Sequence, residues 1–468
     1  MFIGREKELE ALNKLYERKE FQLFILYGRR RVGKTTLLNE FCKDKDAIFF
    51  SAELSNVKAN LEKLSQIIFR HYDSTRQENF SSFESAFDYV NERQQNERVI
   101  IVIDEFPYLA ESEPSILSEF QHLIDHKLKD SRIFLLLCGS YVGFMEREVL
   151  GSKSPLFGRR TGQLQLKPFD YLMSAEFIKD FSFEAKLRFY GAFGGTPLYL
   201  RQIDTRKNFE ANIKENFLLP TSYLYEEPIF LLREELQQPG IYNTIIEAIA
   251  SGASKSNEIS TKTGELTSKC LKYITVLRSL GILYKETPFG EKETSRKTIY
   301  GISDFLFRFW YRYVFGNRTL IETGAYENVW NKRINPDYNT YMGLVFEKVC
   351  KEYLLRRNSQ GKLPILFTEI GRWWGNDPKK KVQSEIDLIA RDRNDFIFCE
   401  CKWQNSLADL KVLKTLEERA EIFLGGRENQ GQVKFIIFSK SGFDENLASF
   451  CKNRQDLSLI GLEELFEK

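Results

Sequence analysis

Residues 28–35 follow the spacing GxxxxGK[ST], the pattern of a loop that binds the phosphates of a nucleotide. Backbone N–H groups of such a loop point at the phosphates, and the helix that follows adds positive potential at its N-terminus. In this pattern Lys34 reaches the β- and γ-phosphates, and the hydroxyl of Thr35 binds Mg²⁺. The nucleotide contacts are predicted to be Gly28, Arg29, Arg30, Arg31, Val32, Gly33, Lys34, Thr35 and Thr36. We therefore expect the chain to bind ATP or GTP with magnesium, against the alternative of a glycine-containing turn that matches by chance.

Two acids follow a second apolar run and belong with this loop. Residues 99–103 are all valine or isoleucine, as expected of a parallel strand buried on both faces, and the run ends in Asp104 and Glu105. The carboxyl end of such a strand lies at the ligand-binding edge of an open α/β sheet. We expect Asp104 to complete the magnesium shell and Glu105 to polarise the attacking water as the general base. An ordinary strand end capped by acids is the alternative.

Three further side chains could serve the same reaction. Ser140 follows the apolar run 133–137 and would reach the same sheet edge as Asp104, where it could sense the γ-phosphate or position water; a turn residue would have the same pattern. Arg159 and Arg160 carry guanidinium groups that could reach a γ-phosphate, within the chain or from a neighbouring subunit. Arginines near a domain edge more often form surface ion pairs, so the catalytic role is one of two interpretations.

A second set of charged residues lies towards the carboxyl end of the chain. Asp387 lies in a short alternating strand, and Glu400 and Lys402 share one face of the strand predicted to return beside it. Glu347, at the edge of the apolar stripe of a helix predicted over 341–355, could add a third carboxylate. Asp387 and Glu400 would bind Mg²⁺, which activates water against a phosphodiester. A surface hairpin with solvated charges gives the same pattern, so both interpretations stay open.

Alternating strands and helices are predicted for residues 1–165. The strands are expected at 21–27, 47–51, 99–103 and 133–137. Helical patterns separate these apolar runs, which favours a parallel, doubly wound α/β sheet. Such a sheet brings the phosphate-binding loop, Asp104 and Ser140 to one edge.

The middle of the chain is predicted to be mainly helical. Residues 239–304 have three helical segments followed by a charged hairpin, which is the order of a winged helix. The third helix carries Lys269, Lys272 and Arg278, which could meet DNA phosphates; contacts within the chain are an equal alternative. The aromatic residues that begin the segment 305–335 could stack on bases, but a helix that is aromatic on all sides favours burial as a connector between domains.

Length and composition are those of a large soluble enzyme of about three domains. The 468 residues include 68 lysines and arginines against 66 aspartates and glutamates, so the net charge of +2 does not favour a nucleic-acid partner by itself. Any DNA contact must come from a local patch, such as Lys379, Lys380 and Lys381. No apolar run approaches the ~18 residues that cross a bilayer. Because the seven cysteines also fit reduced thiols, we expect a cytoplasmic protein without membrane contact.

Seven short motifs resemble the archaeal-type ATPases of the AAA+/STAND group. They are FIGRE at 2–6, GRRRVGKT at 28–35, IDEFP at 103–107, CGS at 138–140, FMER at 144–147, GRR at 158–160 and GGTP at 194–197. The resemblance implies a P-loop NTPase domain that uses ATP and Mg²⁺ as a nucleotide switch, with a helical lid over 166–238. It also implies that Phe2–Glu6 packs near the adenine.

The C-terminal pattern, an aspartate followed on the next strand by acid-x-lysine, resembles the PD-(D/E)XK nuclease fold, although the proline of that name is missing. Archaeal-type ATPases commonly end in such a domain. The resemblance therefore implies a restriction-endonuclease-like α/β domain over 336–468. DNA is the expected partner, and, should a homo-oligomer form, Arg159 or Arg160 would be the candidates for action across its subunit interface. The leading hypothesis is an ATPase coupled to a Mg²⁺-dependent nuclease-like domain, in defence or DNA processing. The alternative is a signalling or scaffold ATPase whose C-terminal domain binds a partner without cleavage.

Overall fold

The computed structural model describes residues 2–72, 78–94, 97–377, 382–425 and 431–467. The chain divides into two compact units, the first made of Met1–Pro168 with Thr196–Leu198 and the second of Phe169–Gly195 with Tyr199–Lys468. The lysine run at 379–381 lies outside the described residues. Among the residues that are described, no helix is both long and apolar enough to span a bilayer.

Five parallel strands form the sheet of the first unit. They are β1 (Gln22–Tyr27), β2 (Ala47–Ser51), β3 (Ile100–Asp104), β4 (Phe134–Gly139) and β5 (Gly162–Gln165). Their spatial order is β2-β3-β4-β1-β5, and each neighbouring pair is parallel. Every residue of β1, β3 and β4 is buried, as expected of strands covered on both faces. The predicted parallel α/β sheet is therefore confirmed.

Helices pack around this sheet. They are α1 (Glu6–Tyr16), α2 (Lys34–Cys42), α3 (Val57–Tyr72), α4 (Phe83–Arg93), α5 (Phe106–Ser112), α6 (Ile116–Leu123) and α7 (Val142–Phe144). One apolar cluster joins α1 and α2 to the sheet through Leu12, Leu37, Phe41 and Phe134. The sequence did not predict β5, because its Gly-Gln-Leu-Gln sequence lacks an apolar run and the strand is only partly buried.

A series of helices runs from residue 171 to 279. They are α8 (Tyr171–Ala175), α9 (Phe183–Phe193), α10 (Pro197–Leu200), α11 (Phe209–Phe217), α12 (Glu227–Glu235), α13 (Pro239–Ala250), α14 (Ser256–Thr263) and α15 (Thr267–Ser279). The antiparallel strands β6 (Leu283–Glu286) and β7 (Ile299–Ile302) follow. Three helices and a hairpin therefore occur where the sequence predicts them.

Helix α16 (Phe305–Tyr313) carries the aromatic run. Seven of its nine residues are buried, among them Phe309 and Trp310. The indole N–H of Trp310 donates to the carbonyl oxygen of Tyr225 at 2.7 Å, so its one polar group is satisfied inside the protein. The packing interpretation of this run is confirmed. Two short helices follow, α17 (Arg318–Glu322) and α18 (Tyr326–Val329).

A mixed five-stranded sheet forms the C-terminal part of the second unit. Its elements are α19 (Asn335–Ser359), β8 (Glu369–Asn376), β9 (Gln383–Asp392), β10 (Asp395–Lys402), α20 (Leu410–Leu424), β11 (Val433–Ser439), α21 (Glu445–Lys452), β12 (Leu457–Ile460) and α22 (Leu462–Phe466). The spatial order is β12-β11-β10-β9-β8. Strands β8, β9 and β10 are antiparallel neighbours, whereas β10, β11 and β12 are parallel. The predicted helix over 341–355 and the two strands that carry the second set of charges are confirmed.

Candidate functional site

Two glycines shape the phosphate-binding loop between β1 and α2. Gly33 has φ +93°, in the left-handed region that favours glycine, and it precedes the first residue of α2. A Cβ atom at Gly28 would lie 2.3 Å from the carbonyl oxygen of Leu166, just after β5. The loop therefore needs glycine at both positions to lead into the N-terminus of α2, where backbone N–H groups favour an anion.

The side chains of Lys34 and Thr35 lie at the start of α2. The Lys34 ammonium donates to the carbonyl oxygens of Gly28, at 2.8 Å, and Arg29, at 3.1 Å. The Thr35 hydroxyl donates to Oδ2 of Asp104, at the end of β3, over 2.7 Å. Parallel strands β1, β4 and β3 are neighbours in that order, so their carboxyl ends share one sheet edge. The structure thus brings Thr35 and Asp104 together, as the sequence predicts.

Ser140 holds the carboxylate of Glu105. Its hydroxyl donates to Oε1 at 2.6 Å, and its backbone N–H donates to Oε2 at 3.2 Å. Glu105 has φ +53°, a left-handed backbone that is uncommon for residues other than glycine and that clusters at functional sites. Next to them, burial and the charge of Asp104 raise the pKa of Cys138 well above its usual range, so this thiol stays neutral. Ser140 therefore holds both oxygens of the Glu105 carboxylate.

Arg159 is bound within its own chain. Its Nε and Nη2 atoms each donate to a carboxylate oxygen of Asp125, both at 2.7 Å. The N–H of Thr161 donates to the carbonyl oxygen of Leu23 near the beginning of β1, whereas the phosphate-binding loop follows the other end of that strand. Arg159 therefore forms an ion pair away from the loop. The sequence left an ion pair open as the alternative to a catalytic role. Arg160 is partly exposed beside it.

Two buried arginines connect other segments to the phosphate-binding loop. Arg5 donates from Nη2 to the carbonyl oxygens of Val32, at 3.1 Å, and Lys167, at 2.7 Å. Arg29 donates from Nη2 to the hydroxyl of Thr196 at 2.9 Å. The sequence does not predict these contacts of Arg5 and Thr196, because the partners are far apart along the chain. The only sign that the two residues matter is that they lie in the motifs FIGRE and GGTP.

Glu400 and Lys402 lie together on β10. The Lys402 ammonium donates to Oε1 of Glu400 at 2.5 Å, and Nη1 of Arg419, on α20, lies 3.2 Å from both carboxylate oxygens. Glu400 is only 3% exposed, so two cations compensate a buried carboxylate. The pair on β10 is as the alternation of the strand predicts. Arg419 was missed, because it reaches the site from a helix 19 residues further along the chain.

Asp387 lies where β9 departs from regular pairing with both of its neighbours. The register of β8 on β9 shifts at Arg372, which stands opposite two residues, Asp387 and Leu388. Regular pairing of β9 with β10 ends at Leu388 and Cys399. Beyond that point the backbone N–H of Cys401 donates to Oδ2 of Asp387 at 2.8 Å. Bulges of this kind are frequent beside active sites, because they change the direction of a side chain.

The acids of this site have raised pKa values. Burial, and then the charge of Glu400, raises the pKa of Asp387 to about 6. Burial, and then the charge of Asp387, raises the pKa of Glu347 on α19 to about 8. The charge of Asp387 on β9 thus acts on Glu347 of α19, and the charge of Glu400 on β10 acts on Asp387.

Arg372, which sequence reasoning did not assign to the site, stands among several acids. Its Nη2 donates to Oε2 of Glu385 at 2.6 Å. Burial lowers the pKa of Arg372, but the charges of Glu347, Glu385 and Glu286 together raise it. Glu286 lies on β6, outside the C-terminal sheet. No pattern in the sequence indicates that a residue so far upstream reaches this site.

The β6–β7 hairpin is docked on the C-terminal sheet. The backbone N–H of Phe289, which follows β6, donates to the carbonyl oxygen of Arg372 at 2.8 Å. The Phe289 side chain is 8% exposed and belongs to the apolar cluster of this sheet, with Ile386 and Phe398. For the predicted winged helix, the sequence left DNA binding and contacts within the chain as alternatives. Its hairpin is observed to make contacts within the chain.

Both sites offer paired oxygen donors rather than a complete metal cage. The described part of the chain contains no group of three His, Cys, Asp or Glu side chains arranged to hold a metal ion. Thr35 is bonded to Asp104 in the first unit, and Asp387 faces the charge of Glu400 in the second. Mg²⁺ prefers oxygen donors, keeps several waters and usually takes one or two carboxylates from a protein. Each pair therefore offers oxygen donors of the kind that Mg²⁺ takes, and in the second pair Glu400 also bonds Lys402 and Arg419.

Comparison with known proteins identifies two domains. Residues 2–203 match a family described as an ATPase domain predominantly from Archaea. Residues 310–418 match a family of archaeal and bacterial proteins of unknown function. The first range contains the phosphate-binding loop, Asp104 and Ser140; the second contains Asp387 and Glu400.

Relatives extend these matches. An uncharacterised protein of Methanocaldococcus jannaschii is 35% identical over 417 residues, which are 88% of this chain and 90% of that protein. An uncharacterised ATP-binding protein of the same organism is 49% identical over 45 residues, which are 10% of this chain and 76% of that protein. The structure of a Walker-type ATPase of Pyrococcus abyssi has a TM-score of 0.50 at 22% identity, and the match covers 66% of this chain and 96% of that one. At this identity the likeness concerns the fold.

Proposed function

We propose, from the premise that the chain belongs to the family with an ATPase domain found predominantly in Archaea, that its ATP cycle controls a Mg²⁺-dependent nuclease-like domain that acts on DNA. The family makes the chain a P-loop ATPase. The cation, the coupling and the DNA substrate are the proposal. The observation behind the proposal is that Asp387, Glu400 and Lys402 lie on the neighbouring strands β9 and β10, at a bulge in β9. In the same chain, Thr35 is hydrogen-bonded to Asp104.

The residues around the phosphate-binding loop have separate roles in ATP hydrolysis. Lys34 exchanges its two carbonyl partners for the β- and γ-phosphates when ATP binds. Thr35 and Asp104 would hold Mg²⁺, which neutralises charge on the phosphates. Glu105 accepts the proton of the attacking water, and Ser140 orients its carboxylate.

An arginine from a second subunit completes this site. Asp125 already binds the Nε–Nη2 edge of the Arg159 guanidinium, and Nη1 donates to the carbonyl oxygens of Pro155 and Phe157, which leaves Arg160 as the better candidate. Its backbone lies near the beginning of β5, away from the loop of its own chain, so it would act across the interface of a homo-oligomer. An arginine finger contributes about 10³–10⁵ in rate.

The C-terminal elements support the PD-(D/E)XK interpretation. Helix α19 is followed by the antiparallel strands β8, β9 and β10, then by α20 and the parallel strand β11. Asp387 and Glu400 would hold Mg²⁺, which polarises the phosphodiester and its attacking water. Lys402 would stabilise the developing hydroxide, and Glu347, whose raised pKa keeps it protonated at neutral pH, would donate a proton rather than accept one.

Helix α15 is the surface that we assign to DNA. Helices α13, α14 and α15 with the hairpin have the order of a winged helix. Phe289 fixes the hairpin to the C-terminal sheet, so the helix rather than the hairpin would meet the duplex. Lys272 and Arg278 are exposed there, whereas Lys269 is paired with Glu265 at 2.9 Å. Their contacts would be to phosphates and therefore sensitive to salt.

One experiment tests ATPase, nuclease and coupling together. The full chain is incubated with ATP, Mg²⁺ or Mn²⁺, and plasmid, linear or single-stranded DNA, and phosphate release and DNA breaks are followed in the same reaction. Lys34→Ala should abolish hydrolysis and change cleavage. Asp387→Ala should abolish cleavage and spare hydrolysis. Intact DNA under every condition would remove the nuclease half of the proposal.

A signalling or scaffold ATPase is the second candidate. It is favoured by the ion pairs of Glu400 with Lys402 and Arg419, which satisfy this carboxylate without a metal. It predicts slow ATP hydrolysis that does not respond to DNA. It also predicts that Asp387→Ala leaves the cellular function unchanged.

A further inference from the structure

Arg372 is a charged group that acts on Asp387 and that the proposed chemistry leaves unused. It lies at the register shift of β8, opposite Asp387 and Leu388. One of its nitrogens, Nη2, is bonded to Glu385 at 2.6 Å. Its Nε is buried and has no hydrogen-bond partner among the described residues. A buried donor without a partner is unfavourable, so another interaction must favour this position of the side chain.

Charge supplies that interaction. The carboxyl groups of Glu286, Glu347 and Glu385 act on Arg372, and Arg372 acts on Asp387. Buried acids repel one another unless a cation lies among them. Arginine supplies a positive charge that does not titrate in proteins. Arg372 therefore stabilises this group of acids while no metal ion is bound.

We propose that Arg372 is a positioning residue that acts as an internal counter-ion: it stabilises the metal-free C-terminal site and competes with the divalent cation that binds Asp387 and Glu400. This inference rests on the proposed cation site and adds its regulation. The positive charge of Arg372, which acts on Asp387, would oppose tight binding of the cation. Glu385, already bonded to Nη2, remains as its partner at the side of the site.

The β6–β7 hairpin holds Arg372 in the competing position. The N–H of Phe289 fixes the carbonyl group of Arg372, and a Cβ atom at Gly371 would lie 3.1 Å from the Phe289 ring. Glu286, on the same hairpin, is one of the acids around the guanidinium. A shift of the hairpin would release both the backbone and the side chain of Arg372. The hairpin is thus the element through which the rest of the chain can regulate cation binding.

Binding of Mn²⁺ to the full chain tests this inference. All variants carry Thr35→Ala and contain no nucleotide, so that the phosphate-binding loop does not contribute. Arg372→Gln should raise the affinity for Mn²⁺, measured by calorimetry, by about tenfold or more, because a nearby positive charge is lost. Arg372→Lys keeps the charge and should remain close to the parent. Arg391→Gln is the matched control, since Arg391 and Glu369 form another 2.6 Å pair between β8 and β9.

The outcomes separate this inference from the proposed function. An unchanged or weaker affinity in Arg372→Gln overturns the inference, as does an equal rise in Arg391→Gln. Asp387→Asn must abolish Mn²⁺ binding both in the Thr35→Ala parent and in its Arg372→Gln variant. If it has no effect, the proposed cation site itself fails. Should Arg372→Gln not fold, Phe289→Ala loosens the hairpin and keeps the charge. This second variant must then raise the affinity, and no rise counts against the inference.

Discussion

The hydroxyl of Thr35 donates a 2.7 Å hydrogen bond to Oδ2 of Asp104, and the contact links the start of α2 to the end of β3. Since Mg²⁺ binds through oxygen donors, this pair defines where the ion of the nucleotide would lie. The two groups are hydrogen-bonded to each other in this position. Removing either one should therefore affect ATP hydrolysis more than the stability of the fold.

Thr35→Ala should lower the rate of ATP hydrolysis by about 100-fold, which corresponds to ~2.7 kcal/mol of transition-state stabilisation. The reason is the loss of one oxygen donor for Mg²⁺. Phosphate release over a range of Mg²⁺ concentrations measures the effect. Thr323→Ala is the control, because that exposed hydroxyl at the end of α17 donates to the carbonyl oxygens of Thr319 and Leu320. A wild-type rate in Thr35→Ala would exclude this position for the ion.

Glu105→Gln should bind ATP normally and hydrolyse it about 10²–10⁴ times more slowly, because the amide cannot accept the proton of water. Ser140→Ala should reduce the rate less, since the backbone N–H of residue 140 still holds one oxygen of Glu105. Ser140→Thr, which restores the hydroxyl, should recover activity. Single-turnover hydrolysis with bound ATP separates these effects from binding. Equal rates in Glu105→Gln and the wild type would assign the base elsewhere.

Glu347 should make the protein less stable as the pH rises. Its pKa is raised from 4.5 to about 8 in the folded chain, so the folded state binds more protons than the unfolded state between these values. The free energy of unfolding therefore falls as the pH increases through this window. Glu347→Gln stays neutral and should lose less stability between about pH 5 and pH 8, by about 1–3 kcal/mol. Denaturant titrations at both pH values provide the measurement.

Glu369→Gln is the control for this titration. Its carboxylate is half exposed and paired with Arg391, so it should follow the wild-type dependence on pH. Asp387 has a pKa raised in the same direction, to about 6, and should contribute at the lower end of the window. The free energy of unfolding of Glu347→Gln could also fall with pH by the same amount as that of the wild type. Such a result would show that Glu347 is ionised at neutral pH.

Phe289→Ala should destabilise the second unit by about 2–4 kcal/mol, because it leaves a cavity in the apolar cluster of the C-terminal sheet. Phe450→Ala is the control, since that ring is 43% exposed on α21 and should cost less. Thermal or chemical unfolding measures the difference. A loss no larger than that of Phe450→Ala would mean that the hairpin does not contribute to this core.

The sequence predicts the nucleotide-binding half well, because its signals are local. Strands β1, β3 and β4 are continuous apolar runs, and their carboxyl ends must meet at one edge of a parallel sheet. That rule is enough to place Thr35 beside Asp104. Strand β5 escaped prediction, since two of its four residues are glutamines and it lies at the edge of the sheet.

The surroundings of the C-terminal acids could not be predicted, because they depend on tertiary contacts. Alternation along β10 places Glu400 with Lys402, but nothing local indicates Arg419 on α20 or Glu286 on β6. Gly371 is compatible with the register shift at Arg372, but a glycine in a strand does not by itself fix where a bulge forms. Arg159 is similar: only the fold reveals its partner.

The division of the polypeptide limits how this protein can be taken apart. The chain leaves the first unit after Pro168, returns for Thr196–Leu198 and leaves again. That brief return supplies the hydroxyl to which Arg29 donates. Neither unit is a single continuous segment of the chain. A fragment that ends at residue 168 therefore lacks Thr196, which contacts Arg29 of the phosphate-binding loop. A chimaera between relatives must preserve all three points at which the chain passes from one unit to the other.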